Sequence, residues 1–289
     1  MALPSRHGEL ARAQFWELIP LSAEEGKAPA SDAASVLRKL GKAARNAVLL
    51  SRRDYRLMVV PRPDLSPEEL EQGLRWNIAP LLDYPPEDIA LQMAPIPSRE
   101  HLPEREEHIY VVCAQRSLLE GRALSYRSLG INPNVIDIRE MAQRNVAVAC
   151  SAGEGVGLLS HAGDGFLLTF TFAGELYLDR FIEAPLETLQ EPGSARVAQC
   201  LSEISHQLSR SLDFLARNLP FVKVVRVLVG PTLIPLGLHE FLAREQPVTV
   251  EPLELEDIFD FSEVPALREP SNQARALLSL GATLRGTQR

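Results

Sequence analysis

Cysteine is scarce in this sequence of 289 residues, which contains only Cys113, Cys150 and Cys200. These three residues stand far apart and form no CxxC pair. A disulfide framework and a zinc ribbon both need closely paired cysteines, so neither is expected here. An isolated cysteine usually packs as a small apolar residue. We therefore expect three buried, inert thiols.

An excess of basic residues is also missing, since 30 Lys and Arg stand against 38 Asp and Glu, for a formal net charge of −8. A nucleic-acid interface needs clustered Lys and Arg to neutralise phosphates, so we expect no nucleic-acid partner. No apolar run approaches the ~18 to 20 residues that span a bilayer. The most apolar run, 224–229, contains Arg226. We therefore expect no direct membrane insertion and a cytoplasmic location.

Motifs of the common enzyme classes are absent. Neither the phosphate-binding GxxxxGK[ST] motif nor the GxSxG motif of serine hydrolases occurs, and Gly41-Lys42 lacks both the upstream glycine and the following hydroxyl. His101 and His108 flank Glu104, but a charged loop with proline favours a solvated segment over a metal site. No residues form a pattern of nucleophile, base and orienting group. We predict no enzyme activity, no catalytic residue and no metal ligand.

The first half of the chain alternates strand and helix signals. A short apolar stretch at 13–19 predicts a strand, and Ser31 precedes a helical pattern that stops at Gly41. Two apolar runs, 47–50 and 57–60, are joined by a polar turn. Together they predict a hairpin.

A strong helix start follows at Ser66-Pro67-Glu68-Glu69, which combines an N-cap residue, a proline in the first turn and a glutamate three residues after the cap. An apolar stripe with four-residue spacing then runs from Leu70 to Ile78, and Trp76 lies off that stripe. Strand signals and a Pro- and Glu-rich loop complete an α+β segment. We expect residues of about 62–115 to form a small inserted subdomain.

After Ser151 the pattern changes to consecutive β runs and then to one long amphipathic helix with an apolar stripe along one side. The predicted elements are three strands of a meander at 156–160, 166–172 and 176–182, a long helix at about 194–219, a strand at 222–229, a helix at 236–243, a strand at 248–250 and a last helix at 271–285.

This order of elements resembles the second half of a ribonuclease-H-like lobe, the unit duplicated in the actin-like fold. That half-lobe consists of a meander, a long helix, a buried strand and a glycine before the next helix. Five segments resemble, in the same order, the corresponding stretches of the MshI family. They are Leu70–Pro97, Ile136–Ala142, Gly174–Arg180, Arg210–Phe214 and Leu280–Arg285.

MshI proteins serve biogenesis of the mannose-sensitive haemagglutinin (MSHA) type IV pilus and are similar to PilM, the cytoplasmic actin-like component of the pilus alignment complex. The resemblance implies an α/β fold of two actin-like lobes, 1–150 and 151–289, with the insert 62–115 in the first. It also implies that the first lobe is truncated and that the C-terminal helix 271–285 packs back on it.

The same resemblance raises the question of ATP, because an actin-like ATPase binds phosphates on two glycine-containing β turns and places Mg²⁺ with acidic residues. The first turn, an Asp-x-Gly near the start of such chains, is missing here. No Asp precedes Asp32, and Arg6-His7-Gly8 stands where the opening strand is expected. We expect that this strand is absent.

The second turn corresponds to Gly163-Asp164-Gly165, and the acidic residue that relatives have at the preceding strand end is replaced by Ser160. Asp164 is a candidate substitute, and the alternative is a simple hairpin turn suited to positive φ. The adenosine-side glycine pair becomes Gly230-Pro231, where proline removes a donor. Gly163, Asp164, Gly165 and Gly230 are therefore predicted to form a vestigial nucleotide pocket at most.

These observations favour a non-catalytic cytosolic scaffold for an MSHA-type pilus, held at the inner membrane by protein partners. The alternatives are an actin-like ATPase with an altered pocket and a type II secretion scaffold of the GspL sort. The resemblance to PilM implies a partner: the cytoplasmic N-terminal tail of a single-pass inner-membrane protein similar to PilN or MshJ, bound beside the insert 62–115. Trp76 is a candidate anchor, unless it packs under the loop 95–107.

Overall fold

The computed structural model describes residues 2–3, 10–16, 46–97, 107–128, 130–191 and 193–285. The predicted helix from Ser31 to Gly41, the segment Arg6-His7-Gly8, Asp32, His101 and Glu104 lie outside these described residues. The chain divides into two compact units, Leu18–Ile138 and a second one that combines Met1–Glu17 with Arg139–Arg289. We call them the middle unit and the terminal unit.

The elements are numbered in chain order. The strands are β1 (Ala2–Leu3), β2 (Ala11–Ala13), β3 (Ala47–Leu49), β4 (Tyr55–Pro61), β5 (Ile89–Pro95), β6 (His108–Gln115), β7 (Val135–Asp137), β8 (Gly155–His161), β9 (Gly165–Phe172), β10 (Glu175–Glu183), β11 (Val224–Val229), β12 (Thr249–Pro252) and β13 (Phe259–Asp260). The helices are α1 (Pro67–Ile78), α2 (Arg116–Ser128), α3 (Arg139–Ala149), α4 (Leu186–Leu189), α5 (Ala195–Asn218), α6 (Leu238–Glu245) and α7 (Pro270–Thr283).

In the middle unit, α1 covers one face of an antiparallel sheet with the strand order β4-β6-β5. The helix begins as predicted, although the Ser66 hydroxyl donates to the Glu69 carboxylate, at 2.9 Å, and caps no backbone N–H. Leu74 and Ile78 are fully buried in the core between α1 and the sheet. Apolar spacing alone was sufficient to identify the buried side of this helix.

The predicted hairpin of 47–50 with 57–60 is wrong. Strand β3 pairs in parallel with β7, whereas β4 pairs antiparallel with β6. A short 3-10 turn at Arg52–Asp54 separates the two pairings. Because Met58 and Val60 pack on the core beneath α1, the inserted sheet begins at Tyr55 and not at residue 62.

The terminal unit contains a five-stranded sheet with the order β10-β9-β8-β11-β12. Strands β8, β9 and β10 form the predicted antiparallel meander, and β11 pairs in parallel with both β8 and β12. This is the order expected for a ribonuclease-H-like lobe. Helix α5 also lies where predicted, and its N-cap Ser194 accepts a hydrogen bond from the Val197 N–H at 3.3 Å.

Helices cover both faces of this sheet. Neighbouring residues of a strand point to opposite faces, and on β10 the side chain of Arg180 reaches α5 while Asp179 lies near Glu140 of α3. Helix α7 packs closely on α3, since a Cβ on Gly281 would lie only 2.9 Å from a Val146 methyl.

The observed division of the chain falls after Ile138, one helix earlier than the predicted boundary between 150 and 151. Helix α3 belongs with the terminal unit because it packs on β8, β9 and α7. Residues 11–13 also belong there, because β2 pairs in parallel with β13. This pairing was not predicted, and β2 ends at Ala13, where the predicted strand 13–19 begins.

The expectations about the three cysteines and about membrane-spanning segments can be compared directly with the structure. Cys113 and Cys200 are buried and Cys150 is half-buried. Burial raises the pKa of the Cys150 thiol to about 12, which keeps it protonated at neutral pH. Within the described residues, no helix is long and apolar enough to cross a membrane.

Candidate functional site

The turn between β8 and β9 is the part of the terminal unit that corresponds to the predicted phosphate turn. Its backbone closes with a hydrogen bond from the Ala162 N–H to the Gly165 carbonyl, at 2.8 Å. Gly163 has φ of 80°, a conformation that glycine adopts without steric cost. Asp164 is exposed at the tip. The positive φ is compatible both with a simple hairpin turn and with a phosphate-binding turn, so the roles of Gly163 and Asp164 stay predictions.

Close packing accounts for the other two glycines of the predicted pocket. A Cβ on Gly165 would lie 2.8 Å from the Phe181 ring and closer still to the Ile182 carbonyl oxygen. Gly230 is buried at the end of β11, where a Cβ would lie 3.2 Å from both Ser160 Cβ and Leu277 Cδ1. Gly230 and the turn therefore lie at the same end of the sheet, but these glycines are packed against protein atoms.

The strand-end position that relatives fill with an acid is Ser160, and its hydroxyl is held inside the unit. Ser160 donates to Oε1 of Gln143, a fully buried residue of α3. Nε2 of Gln143 donates to the Leu158 carbonyl at 2.7 Å, to the Leu167 carbonyl at 3.0 Å and to Thr169 Oγ1 at 3.0 Å. Every polar atom of this network is satisfied internally, which leaves none directed at a ligand.

His161, the next residue, is buried with its ring edge-on to Phe166 at a centroid distance of 5.5 Å. Burial and the positive charges of Arg139 and Arg275 lower the pKa of His161, against an opposing effect of Asp164. The imidazole is therefore neutral at physiological pH. Arg139 itself lies over the Phe181 ring, 5.4 Å from its centroid.

A pair of carboxylates lies between β10 and the start of α3. Burial, together with the negative charge of Glu140, raises the pKa of Asp179 to about 7. A raised carboxyl pKa is common at functional sites, but structural clusters produce it as well. Within the described part of the chain, no group of three His, Cys, Asp or Glu side chains has the geometry to hold a metal ion.

Around the β8–β9 turn, the described residues differ from the pattern of an actin-like ATPase site. Such a site places Mg²⁺ and the attacking water with acidic groups close to the phosphates. Here the strand end carries a satisfied serine, the following residue is a buried neutral histidine, and Gly230 is packed on Ser160. The cationic groups near the turn, Arg139 and Arg275, are suited to attract an anion but not to position a metal.

Trp76, the candidate anchor, lies on α1 in the middle unit, whereas the glycine cluster belongs to the terminal unit. Its side chain is 60% exposed. Most of the loop 95–107 lies outside the described residues, so the alternative in which Trp76 packs under that loop stays a prediction.

Sequence reasoning missed Gln143, Arg139 and Arg275 as residues around the turn. Arg275 belongs to α7, far from β8 in sequence, whereas Arg139 and Gln143 belong to α3, the helix that directly precedes β8. No motif in the sequence connects these positions with the turn. No sequence signal distinguishes Gln143, since the polar residues Arg144 and Asn145 follow it directly. A fully buried glutamine normally needs several partners, and these became visible only with the sheet in place.

Comparison of the sequence with protein-family models and with curated proteins gives no match. Among solved structures, the chain is similar to a chain of the PilM–PilN type IV pilus biogenesis complex, with a TM-score of 0.72 and 17% identity over 100% of this chain and 95% of that chain. The cytoplasmic domain of EpsL, an inner membrane component of the type II secretion system of Vibrio cholerae, has a TM-score of 0.48 and 17% identity over 86% and 85% of the two chains. A Bacteroides thetaiotaomicron protein of unknown function with an actin-like ATPase fold has a TM-score of 0.41 and 10% identity over 81% and 80%.

The fold is actin-like. The similarity to the PilM–PilN structure extends over the whole chain, and the strand order of the terminal unit matches the predicted ribonuclease-H-like half-lobe. The predicted fold class and the predicted likeness to PilM are thus confirmed at the level of the fold. Membership of the MshI family and truncation of the first lobe stay predictions.

Proposed function

We propose that this protein is a non-catalytic cytoplasmic scaffold of type IV pilus biogenesis, of the MSHA kind, that binds the cytoplasmic N-terminal tail of a single-pass inner-membrane pilus protein similar to PilN or MshJ. The observation that supports this function best is the similarity of the entire chain to a chain from a PilM–PilN complex. Recruitment by such a tail provides an attachment to the inner membrane that requires no lipid-binding segment of the protein's own.

The middle unit offers an apolar surface for such a tail on the outer side of α1. Gly73 and Trp76 are three residues apart and therefore share one side of the helix. Leu65 lies directly over Gly73, where an added Cβ would collide with its Cδ1. Leu65 and Trp76 remain 39% and 60% exposed. An exposed tryptophan is the kind of anchor that dominates such contacts, and Leu65 adds apolar surface over Gly73.

Tail binding is expected to depend on Trp76. Isothermal titration of the intact protein with synthetic N-terminal tails of pilus proteins encoded near it should show binding that Trp76→Ala weakens at least tenfold, since aromatic hot spots commonly contribute 2 kcal/mol or more. The matched control is Leu124→Ala on α2, because Leu124 is 63% exposed in the same unit. This control should bind within about twofold of the native protein.

Two results would count against the proposal in different ways. Equal binding by the native protein and Trp76→Ala would place the tail elsewhere on the molecule. Failure of the folded native protein to bind any such tail would argue against the scaffold function itself.

ATP turnover is expected to be absent. The chain has Ser160 in place of the strand-end acid and Gly230-Pro231 in place of the glycine pair, and loss of a single preorganised charge contact commonly costs on the order of a hundredfold or more in rate. Phosphate release from MgATP, followed over hours at high protein concentration, should equal the protein-free background. Steady release that is abolished by Asp164→Ala would instead support the alternative of an ATPase with an altered pocket.

A further inference from the structure

A groove of about 320 Å³ on the terminal unit lies between β10 and the C-terminal half of α5. Strand β10 is the last strand on its side of the five-stranded sheet. The groove joins Arg180 of β10 with residues 210–218 of α5, which are separate in sequence. The lining residues are Arg180, Arg210, Asp213, Phe214, Arg217 and Asn218.

Helical spacing places the α5 members of this set in a row. Arg210, Phe214 and Arg217 stand four and three residues apart, so they share one side of the helix. All three side chains are exposed, and the Phe214 ring is 41% exposed. The groove therefore has an aromatic surface with a guanidinium on either side of it along the helix.

Arg180 of β10 adds a third guanidinium, and its position is constrained. Its Nε donates to Ser211 Oγ at 2.7 Å, and this buried hydroxyl in turn donates to the Gln207 carbonyl at 2.6 Å. Among the described residues, Arg210 and Arg217 have neither an ion pair nor a hydrogen bond. Three guanidiniums thus face one groove that contains a single carboxylate, in a chain whose formal net charge is −8.

We propose that this groove binds an acidic, extended segment of a partner protein, in which acidic residues flank an apolar side chain. Arg210 and Arg217 are separated by about 10 Å along the helix at 1.5 Å per residue. An extended peptide advances about 3.3 Å per residue and directs every second side chain to the same face, so acidic residues four positions apart flank a central side chain on one face, about 13 Å from each other. The long, flexible arginine side chains can adjust to this span. The apolar side chain between them then packs on Phe214, while Arg and carboxylate pair in a bidentate geometry.

The polar neighbours of Phe214 favour a peptide over a phosphate ligand. A peptide supplies backbone N–H donors for the Asp213 carboxylate, whereas a phosphate dianion presents only acceptors to it. This site goes beyond the proposed tail binding, since it lies on the terminal unit and is independent of Trp76.

The test uses fluorescence anisotropy of the full chain with a labelled probe peptide, Ser-Glu-Asp-Leu-Glu-Asp-Ser. The native protein should bind it in a salt-dependent manner, and the double variant Arg210→Glu with Arg217→Glu should weaken binding at least tenfold. Phe214→Ala should weaken it about fivefold. The control Arg196→Glu makes one such charge reversal in the exposed first turn of α5, about 21 Å from Arg210 along the helix, and should bind within twofold.

Thermal unfolding monitored by circular dichroism must show that each variant keeps the native fold. The isosteric peptide Ser-Gln-Asn-Leu-Gln-Asn-Ser should not bind. The proposal is overturned if the native protein does not bind the acidic peptide or if the double variant binds it with native affinity. It is also overturned if the isosteric peptide binds as tightly as the acidic one. It is likewise overturned if the double variant still binds the acidic peptide and has lost only the binding of a fluorescent ATP analogue. Because this double change leaves α1 untouched, binding of pilus tails should persist.

Discussion

Replacing Leu208 by Asp is expected to abolish the folded state of this protein. Leu208 lies in the middle of α5 and has no exposed surface. It belongs to a stripe along which Ile204 and Leu215 are also buried. An unpaired charge in such a core costs several kcal/mol, which is comparable with the 5–15 kcal/mol total stability of ordinary domains. Soluble expression should fail, and any soluble fraction should lack a cooperative thermal transition.

The matched control for this change is His206→Asp, since His206 is exposed on the same helix. It introduces the same side chain but buries no charge, so the unfolding temperature should change by only a few degrees. A milder core variant, Leu208→Ala, should remain foldable and lose about 2–5 kcal/mol. A soluble Leu208→Asp protein with a normal melt that has lost only a partner would show that this stripe of α5 is an interaction surface.

Gly281→Ala is expected to lower the free energy of unfolding by about 3 kcal/mol, because overpacking of a close helix contact commonly costs 1–3 kcal/mol and occasionally more. Helix propensity predicts the opposite sign, since alanine in a helix interior is favoured over glycine by about 1 kcal/mol. The contact decides the outcome here. A Cβ on Gly281 would lie 2.8 Å from the Ala142 carbonyl carbon, closer still to its oxygen, and 2.9 Å from a Val146 methyl.

Urea unfolding of the purified variant measures this loss directly. Gly121→Ala in α2 is the matched control, because no heavy atom lies within 4 Å of the added Cβ. That control should be as stable as the native protein or slightly more stable. Equal stability of Gly281→Ala and the native protein would mean that α3 and α7 can separate at little cost.

Much of the terminal unit could be predicted from the sequence, because its signals are local. The stripe along α5 has a period that identifies its buried side, and Ser194 together with Pro220 marks its two ends. The β8–β9 turn was recognisable from Gly163-Asp164-Gly165 for the same reason. The polar contacts near this turn were only partly predictable. The sequence shows that Ser160 replaces the acidic residue, but it does not show that the Ser160 hydroxyl donates a hydrogen bond to the buried Gln143.

The predicted hairpin shows where local signals fail. Two apolar runs joined by a polar turn satisfy the pattern of a hairpin, yet β3 pairs with β7, and β4 pairs with β6. Both partners are distant along the chain. A strand's apolar pattern specifies which face is buried but does not specify its neighbour, so strand pairing depends on the packing of the whole unit.

Composition and local patterns were sufficient to establish the class of elements, the long amphipathic helix, the lack of the common catalytic motifs and the acidic charge. These features depend on composition, on periodicity and on residues close together in the chain. Three-dimensional packing was needed to show that α3 belongs with the terminal unit, that Gln143 satisfies Ser160, and that Arg180 joins Arg210 and Arg217 in one groove. Each of these features brings together atoms from separate elements, and their distances depend on close packing between helices and sheet that no local pattern specifies.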